Sequence, residues 1–318
     1  MTTLPRADRF ADNPTDSPYW NENSWFSVSI PERRIHGLIQ YFFRPNMNIL
    51  NGGPVLWDAE RRFQWNCLYY NWSHLQAIPP GSEKFDVTAR NSLSVRVIEP
   101  LERYKIDYGN EGFEMDLEWN AVGPLHMLET GDPEQAKTAA FHYEHPGRMT
   151  GTIRRHGEEW AIDCWSMRDG SSGPYDTEVW PHGGYFWGIG ESGSFQTLCM
   201  GKKAVARTRG GYLMRDGEMA PLAEGKRTVL EYGEHGPARV LFEAVDTLGR
   251  EISATGIVDP GLVFTGYTDH TVVWSLTEWD VAGETYWGDN QEFCGSEVFR
   301  QIARGEVTLP VEPASPLP

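Results

Sequence analysis

One stretch decides the fold class of this chain: Phe113-Glu114-Met115-Asp116-Leu117-Glu118-Trp119, in which apolar and acidic residues alternate without a break. A period of two places the four apolar side chains on one face of a β-strand and the three carboxylates on the other. We interpret these carboxylates as a solvated sheet face and not as catalytic groups. Leu93, Val95 and Val97 alternate in the same way within Ser92–Ile98.

Turn signals separate such strands along the whole chain. They place Gly, Asn, Asp or His where a positive φ is needed, and they occur at 109–112, 156–157, 216–217, 234–236 and 248–249. Helical periodicity is scarce. Short helices are predicted only at Pro133–Ala140 and Ser296–Ala303. Many short strands with tight turns and few helices predict an all-β fold, either a barrel or a sandwich.

The composition argues against several classes of function. A net charge of −17 repels phosphate backbones, so we expect no nucleic-acid partner. No apolar run approaches the length of about 18 residues that a membrane helix needs, so we expect no membrane insertion. The N-terminus lacks a basic region followed by an apolar one, which makes a cytoplasmic location the default expectation. The four cysteines, Cys67, Cys164, Cys199 and Cys294, lie far apart and predict reduced thiols.

A glycine-rich stretch, Gly188-Ile189-Gly190-Glu191-Ser192-Gly193, has the spacing of a dinucleotide-binding loop. That motif requires a helix directly after it, so that the helix N-terminus meets the pyrophosphate. Here the following residues, 194–200, have the pattern of a strand. We therefore predict a glycine-rich hairpin and no nucleotide cofactor.

The sequence His142-Tyr143-Glu144-His145 groups two imidazoles and a carboxylate. Pro146 argues against a helix that would align them as metal ligands. On a strand, His142 and Glu144 share one face while His145 points away. We therefore predict no metal site at this position.

Polar groups concentrate in Ile162-Asp163-Cys164-Trp165-Ser166-Met167-Arg168-Asp169-Gly170-Ser171-Ser172-Gly173-Pro174-Tyr175, where we expect a strand to pass into a turn. Such a position is typical of a binding site on a rigid β scaffold. Aromatic rings and acids also cluster near both ends of the chain, for example around Tyr41, Trp57 and Trp287. A carboxylate against apolar rings loses solvation, so its pKa rises and it can act as a general acid near neutral pH.

The same region resembles a known family. The runs H-Y-E-H-P-G-R-M-T-G-T-I at 142–153 and W-A-I-D-C-W-S-M-R-D-G-S-S-G-P-Y at 160–175 resemble the AttH-like and carotenoid 1,2-hydratase-like proteins of the calycin type. Tyr286-Trp287-Gly288 followed by Glu292 resembles that family's closing W-G-x-x-x-E pattern. The resemblance implies two tandem lipocalin-like antiparallel β-barrel domains around an apolar cavity. It also implies enzymes that hydrate or cyclise hydrophobic compounds without an organic cofactor.

Two residues depart from the family pattern R-D-H-S-W-G-x-R. Gly170 stands where His is typical, and Ser172 stands where Trp is typical, whereas the flanking positions match at Arg168, Asp169, Ser171 and Gly173. If the typical His is a proton shuttle, another group must replace it, and the nearby candidates are His182, Tyr175 and Tyr185. We also expect that Ser in place of Trp enlarges or wets the pocket.

With these expectations, the chain divides into four segments. An extended N-terminal arm spans 1–24, an N-terminal barrel 25–176, a C-terminal barrel 177–308 and a loose tail 309–318. The sequence is compatible with a homodimer.

The leading hypothesis is an enzyme without an organic cofactor that transforms a hydrophobic small molecule, such as a terpenoid, polyketide or phenolic, by acid/base chemistry. Hydration or dehydration, isomerisation, cyclisation and lyase-type cleavage all fit. Asp169 is the predicted general acid or base, and Arg168 is predicted to orient it or to bind a substrate oxygen. Alternatively, Arg168 and Asp169 form a buried ion pair that pins a turn. The predicted proton relay or oxyanion-stabilising groups are Tyr175, Tyr41 and His182, and the predicted substrate-binding residues are Trp57, Trp165, Ser171, Tyr185, Trp187 and Trp287.

Two other classes of function stay open at this point. A calycin-type carrier would bind a hydrophobic ligand and leave it unchanged. A carbohydrate-active β-sandwich would have an open aromatic groove with two carboxylates about 5–9.5 Å apart.

Overall fold

A computed structural model describes residues 4–11, 15–110, 112–128, 141–174, 182–201, 204–234, 236–267 and 269–305. These ranges contain 21 strands and one α-helix, α1 (Ser296–Ala303), so the predicted all-β class is confirmed. The helix predicted at 296–303 is confirmed as well, whereas the one predicted at 133–140 lies outside the described residues. No helix in the described part of the chain is long and apolar enough to span a bilayer.

The first of two compact units contains residues 1–57 and 67–175. Its antiparallel sheet has the order β4-β3-β2-β1-β12-β11-β9-β8-β7-β6, with β5 on β3 and β10 on β11. Two hydrogen bonds link strands β2 and β3, near one end of this path, to the segment between β6 and β7 at the other end. Tyr41 Oη donates to Leu93 O, and Asn91 Nδ2 donates to Gly52 O over 3.1 Å. The strands are β1 (Asn21–Ile30), β2 (Ile35–Arg44), β3 (Ile49–Trp57), β4 (Tyr69–Tyr70), β5 (Ser73–Ala77), β6 (Val87–Thr88), β7 (Ser94–Glu99), β8 (Arg103–Asn110), β9 (Phe113–Ala121), β10 (His126–Met127), β11 (Phe141–Arg155) and β12 (Glu158–Gly173).

The alternating stretch that predicts the fold class is β9. Phe113, Met115, Leu117 and Trp119 are at most 3% exposed and belong to the core of the first unit, while the carboxylates point away from it. Even-numbered residues of β1 and β12 turn to the same core, for example Phe26. The sheet of the first unit therefore has one core face and one opposite face.

The N-terminal segment contributes to this core. Ala7 and Asp8 are 6% and 0% exposed, and Phe10 stacks edge-on against Phe43 with 4.9 Å between ring centroids. The main-chain oxygen of Ala7 accepts a hydrogen bond from Tyr143 Oη over 2.9 Å. The described part of the predicted arm is thus partly packed inside the first unit.

The second unit contains residues 58–66 and 176–318. Since β18 pairs with β20 as well as with β17, eight of its strands close into an antiparallel barrel. Residues 58–66 join it through Arg62 O, which accepts from Val263 N over 3.1 Å. The strands are β13 (Gly183–Ile189), β14 (Gly193–Met200), β15 (Val205–Arg215), β16 (Glu218–Gly233), β17 (Gly236–Asp246), β18 (Glu251–Val258), β19 (Leu262–Phe264), β20 (His270–Val281) and β21 (Glu284–Gly295).

The core of this barrel is aromatic. Phe186, Phe195, Phe242 and Trp279 are fully buried and contact one another with centroid distances of 5.0 to 5.6 Å. The glycine-rich stretch at 188–193 forms the tight turn between β13 and β14, so the predicted hairpin is confirmed.

Candidate functional site

The polar stretch around Asp169 lies on a strand. β12 continues to Gly173 because β1 and β11 pair with it on both sides as far as Ser172 and beyond. The predicted turn at this position is therefore wrong. Since successive side chains of a strand point to opposite faces, Arg168 and Asp169 face opposite sides of the sheet.

Arg168 lies on the core face and pairs with the N-terminal segment. Its Nη1 donates to Asp8 Oδ1 over 2.8 Å, and both side chains are fully buried. Asp8 also accepts from Tyr104 Oη over 2.6 Å and from the main-chain nitrogen of Leu101 over 3.1 Å. The guanidinium carbon lies 4.2 to 5.5 Å from the ring centroids of Phe85, Tyr104, Trp119 and Tyr143.

These contacts correct two predictions about Arg168. It neither orients Asp169 nor forms an ion pair with it, because its guanidinium is held by Asp8 within an aromatic cage on the other face. The aromatic ring faces and the single carboxylate compensate this buried cation, and loss of the carboxylate would leave it unpaired in the core.

The two departures from the family pattern also lie on the core face. A Cβ atom at Gly170 would come within 2.5 Å of Tyr143 Oη, so Tyr143 occupies the space that a side chain at position 170 would need. Ser172 Oγ hydrogen-bonds Glu22 and accepts from Lys84 Nζ over 2.7 Å. Lys84 and Glu22 form an ion pair of 2.7 Å with both side chains buried. The prediction that Ser172 enlarges or wets a pocket is therefore wrong, because a buried ion pair fills the space.

The opposite face carries a polar cluster formed by His142, Glu144 and Asp169. Glu144 lies directly across the β11–β12 ladder from Asp169, and His142 Nε2 is 3.2 Å from Glu144 Oε1. Each residue offers one ligand atom, and these atoms all lie within 4.8 Å of one another. Glu144 is fully buried, whereas His142 and Asp169 are partly buried.

The polar cluster has unusual protonation properties. Burial and, to a smaller extent, the charge of Glu144 raise the pKa of Asp169 to about 8, against the opposing effect of His142. Burial lowers the pKa of the His142 imidazole. Near neutral pH, Asp169 therefore carries a proton and can donate it, while His142 is neutral and can accept one.

Two amides position Asp169. Asn23 Nδ2 donates to Asp169 Oδ1 over 3.0 Å, and Gln40 Nε2 donates to Asn23 Oδ1 over 2.7 Å. Both amides are at most 5% exposed. Because this chain of hydrogen bonds occupies Oδ1, the carboxyl proton of Asp169 belongs on Oδ2.

The polar cluster could also hold a metal ion. One imidazole nitrogen and two carboxylate oxygens within 4.8 Å are a donor set that Zn²⁺ or Mn²⁺ accepts. We predicted no metal site from residues 142–145 alone, and the ladder between β11 and β12 adds Asp169 as a third donor.

The other predicted residues of the first unit are distributed over both faces. Tyr41 lies on the core face, where it donates to Leu93 O and burial raises its pKa well above the ordinary value. It therefore has no described contact with Asp169 and keeps its proton at neutral pH.

The predicted substrate-binding residues of the first unit lie apart from one another. Trp57 is buried against His36, and Trp165 lies beneath Arg148 with 4.8 Å from the guanidinium to the ring centroid. Ser171 lies on the face of the polar cluster, directly opposite His142 in the ladder.

The predicted residues of the second unit form separate groups. His182 Nε2 lies 2.8 Å from Glu292 Oε2, and its Nδ1 lies 3.2 Å from Gly201 O, so both ring nitrogens have partners. Burial alone would lower the pKa of His182, but the hydrogen bond and charge of Glu292 raise it above its ordinary value. Arg227 also binds Glu292, the acid of the W-G-x-x-x-E pattern. Both ring nitrogens of His182 are therefore engaged by groups of the second unit.

Tyr185, Trp187 and Trp287 share one face of the second barrel, opposite its core. They lie on adjacent strands, where Trp187 pairs with Asp289 and Ile189 with Trp287. Tyr175 lies outside the described residues. The predicted site residues are thus divided between the two units.

The role of three residues of this site was not predicted from the sequence. His142 and Glu144 were recognised as neighbours on one face but were not assigned to the site of Asp169, and Asn23 was not considered. The signal for the first two was present in the turn at 156–157, which sets the register between β11 and β12.

Comparisons with known proteins agree with this geometry at the level of fold. The family described as "Domain of unknown function (DUF7064)" matches residues 5–293. The chain belongs to this family. No curated protein matches the DUF7064 chain by sequence.

Solved structures with the same fold bear out the resemblance to the AttH-like proteins. AttH from Nitrosomonas europaea superposes with a TM-score of 0.61 at 12% identity, covering 93% of this chain and 99% of that one. Kievitone hydratase from Nectria haematococca gives 0.55 at 12% identity, with 92% and 99% covered. CghA with Sch210972 gives 0.55 at 9% identity, with 93% and 96% covered. The lipocalin-like fold is therefore shown.

Proposed function

We propose that this DUF7064 protein is an enzyme that transforms a hydrophobic small molecule by acid/base catalysis at the polar cluster of His142, Glu144 and Asp169. The observation that carries the proposal is the contact of two carboxyl groups with one imidazole on a buried sheet face. Structural ion pairs in this protein join opposite charges, as Arg168 and Asp8 do. Two carboxyl groups side by side do not stabilise a fold, because one of them must take up a proton.

In this proposal Asp169 is the general acid and His142 is the general base. Burial and the charge of Glu144 keep Asp169 protonated to about pH 8, so a proton is available at the ordinary pH of a cell. His142 Nε2 lies 3.2 Å from Glu144 Oε1, so the charge of Glu144 stabilises the imidazolium that forms when His142 takes up a proton. Asn23 holds the Asp169 carboxyl group in one orientation.

The solved structures support the chemical class. One neighbour is named a hydratase, and hydration combines protonation by an acid with activation of water by a base. The candidate reactions for this chain are hydration or dehydration, isomerisation, cyclisation and lyase-type cleavage. A glycosidase requires two carboxyl groups about 5–9.5 Å apart with a sugar between them. The donor oxygens of Glu144 and Asp169 lie within 4.8 Å of each other, just below the short end of that range.

The experiment compares two aspartates of the same strand and the same face. Wild type, Asp169→Asn and Asp163→Asn are incubated with terpenoid, polyketide and phenolic compounds, and products are detected by mass spectrometry. Asp163 is 63% exposed and pairs with Arg148, so it serves as the matched control. We expect Asp169→Asn to lose about 10²–10⁴-fold in rate, as for removal of a general acid, and Asp163→Asn to keep full activity.

Three outcomes decide against the proposal. Full turnover by Asp169→Asn shows that the polar cluster is not the catalytic centre. A compound that binds tightly and is recovered unchanged, equally in both variants, identifies a carrier. Activity that disappears with a chelator and returns with Zn²⁺ or Mn²⁺ shows that the cluster works as a metal site.

A further inference from the structure

His182 lies immediately before β13, the first strand of the second unit, and contacts the chain at two other strands. Its Nδ1 is 3.2 Å from the carbonyl oxygen of Gly201, just after β14, and its Nε2 is 2.8 Å from Glu292 Oε2 on β21. The main-chain nitrogen of Gly201 donates to His182 O over 3.3 Å, one step beyond the last pair of the β13–β14 ladder. One imidazole therefore joins three strands of the barrel.

Both partners of the His182 ring are hydrogen-bond acceptors. Gly201 offers a carbonyl oxygen. Burial alone would raise the pKa of Glu292, but the charges and hydrogen bonds of Arg227 and His182 lower it, so Glu292 is a carboxylate at neutral pH. A neutral imidazole has one N–H and one nitrogen lone pair, so it can donate to only one of two acceptors. The two contacts therefore require the doubly protonated imidazolium form of His182.

Groups from three strands surround this imidazolium and its carboxylate. Arg227 on β16 is 3% exposed and binds Glu292 Oε1. Cys199 on β14 is fully buried, and burial raises its pKa, so it is a neutral thiol near pH 7. Asn290 on β21 is uncharged and donates to Glu292 Oε1 over 3.4 Å. Burial and the charge of Arg227 lower the pKa of His182, but the hydrogen bond and charge of Glu292 outweigh them.

We propose that His182 is a pH-sensitive clamp of the second barrel, which holds Gly201 against the start of β13 while both ring nitrogens carry protons and releases it when one proton leaves. The proton is lost from Nδ1, because the hydrogen bond from Nε2 to a carboxylate is the stronger of the two. The lone pair left on Nδ1 then faces the lone pairs of Gly201 O, and the two acceptors repel each other. The end of the β13–β14 ladder therefore opens as the pH rises.

The direction of the pH dependence follows from the raised pKa of His182. In the unfolded chain the pKa of a histidine is about 6.5, and in the folded protein that of His182 is higher. The clamp therefore contributes its full stability below about pH 6.5 and loses it as the pH rises through the folded pKa. Asp169 also titrates at about pH 8, but the groups that act on its charge, such as Glu144 and Lys84, belong to the first unit. A measurement confined to the second unit separates the two.

Nuclear magnetic resonance of the ring nitrogens tests the protonation state in the unmodified protein. The ¹⁵N signals of His182 are assigned by through-bond correlation to its own main chain and followed against pH. We expect both nitrogens to carry protons in the acid range and the midpoint of deprotonation to lie above the ordinary value of about 6.5. A midpoint at or below that value overturns the inference.

Amide hydrogen exchange tests the release of the strand end. After correction for the intrinsic rate at each pH, we expect the protection of the Gly201 amide to fall about tenfold between pH 6 and pH 9, as for the loss of one hydrogen bond. In His182→Gln the protection should stay constant over this range, because the amide side chain does not titrate. His74→Gln is the matched control and should keep the fall seen in wild type, since His74 is exposed on β5 of the first unit.

The outcomes separate the clamp from a merely structural contact. A fall in protection in wild type and His74→Gln, absent from His182→Gln, supports the inference. Protection that does not change with pH in wild type, or the same fall in His182→Gln, overturns it. If His182→Gln does not fold, the ring-nitrogen titration of wild type decides the question without a variant. The inference is independent of the proposed function, because full turnover by Asp169→Asn overturns that function and leaves the clamp standing.

Discussion

The two faces of strand β12 place adjacent residues in opposite electrostatic environments. On the core face, Arg168 meets the opposite charge of Asp8 inside a cage of aromatic rings. On the other face, Asp169 meets a second carboxyl group, Glu144, and one neutral imidazole. On the core face the charge of Arg168 is neutralised by the opposite charge of Asp8. On the other face Asp169 avoids a second negative charge by keeping its proton. The paired charge of Arg168 is part of the folded core, whereas the proton of Asp169 is available for chemistry.

The largest effect is expected from a substitution on the core face. Asp8→Ala leaves Arg168 buried without its carboxylate, so we expect the free energy of unfolding of the first unit to fall by about 3–5 kcal/mol. Chemical denaturation followed by tryptophan fluorescence measures it. The double variant Asp8→Ala/Arg168→Met is the control and should recover part of the loss, because it leaves no unpaired charge. A single variant as stable as wild type would contradict the assignment of this pair to folding.

The second largest effect concerns Asp169 on the other face, which should make the stability of the first unit depend on pH. The folded pKa of Asp169, about 8, is above its unfolded value, so the folded state alone holds the proton between about pH 4 and 8. Stability from this group is therefore present at low pH and is lost as the pH rises, at about 1.4 kcal/mol per pH unit. We expect Asp169→Asn to gain about 2.7 kcal/mol over wild type between pH 5 and pH 7.

Denaturation of both proteins over this pH range measures the difference. The groups that face Asp169 or act on its charge are His142, Glu144, Lys84 and Arg168, and they are common to both proteins. The lowered pKa of His142 acts at the acid end and in the opposite direction. A difference that stays constant with pH would show that Asp169 is ionised in the folded protein.

Local pattern was sufficient for the fold class. In β9 the period of two is visible in seven consecutive residues, and the structure buries its apolar half. β12 shows the limit of local reasoning. Its Gly170-Ser171-Ser172-Gly173 composition is typical of a turn, but pairing with strands on both sides keeps it extended. Tertiary pairing overrides intrinsic preference at such positions.

The sequence is sufficient to predict the pairing of Glu144 with Asp169 but not the more distant partners of this region. His156 and Gly157 have positive φ and form a two-residue hairpin turn, which the sequence predicts. Counting eleven residues back from Arg155 and eleven forward from Glu158 pairs Glu144 with Asp169. The partners Asp8 and Asn23 lie 160 and 146 residues before Arg168 and Asp169 in the chain, and no local pattern places them.

A smaller effect tests the hydrogen bond that orients the acid. Asn23 donates to Asp169 Oδ1, and such a bond favours the ionised carboxylate. Asn23→Ala should therefore raise the pKa of Asp169 by about one unit, or about 1.4 kcal/mol. The carboxyl carbon shift in NMR, followed against pH, reports this value. Gln40→Ala should move it in the same direction by less, because Gln40 acts through Asn23. A lowered value in Asn23→Ala would show that Asn23 stabilises the neutral acid.

The smallest expected effect concerns another acid on the face of the polar cluster. Asp163 lies six residues before Asp169 on β12, is 63% exposed and pairs with Arg148. Solvent screens this pair, so Asp163→Asn should change the free energy of unfolding by less than about 1 kcal/mol, and 1 M salt should remove the difference. Denaturation at low and high salt measures it. A stability change as large and as pH-dependent as the one expected for Asp169→Asn would mean that the face alone determines the behaviour of an acid. The expected contrast assigns that role to the neighbours, since only Asp169 has a carboxyl group across the ladder.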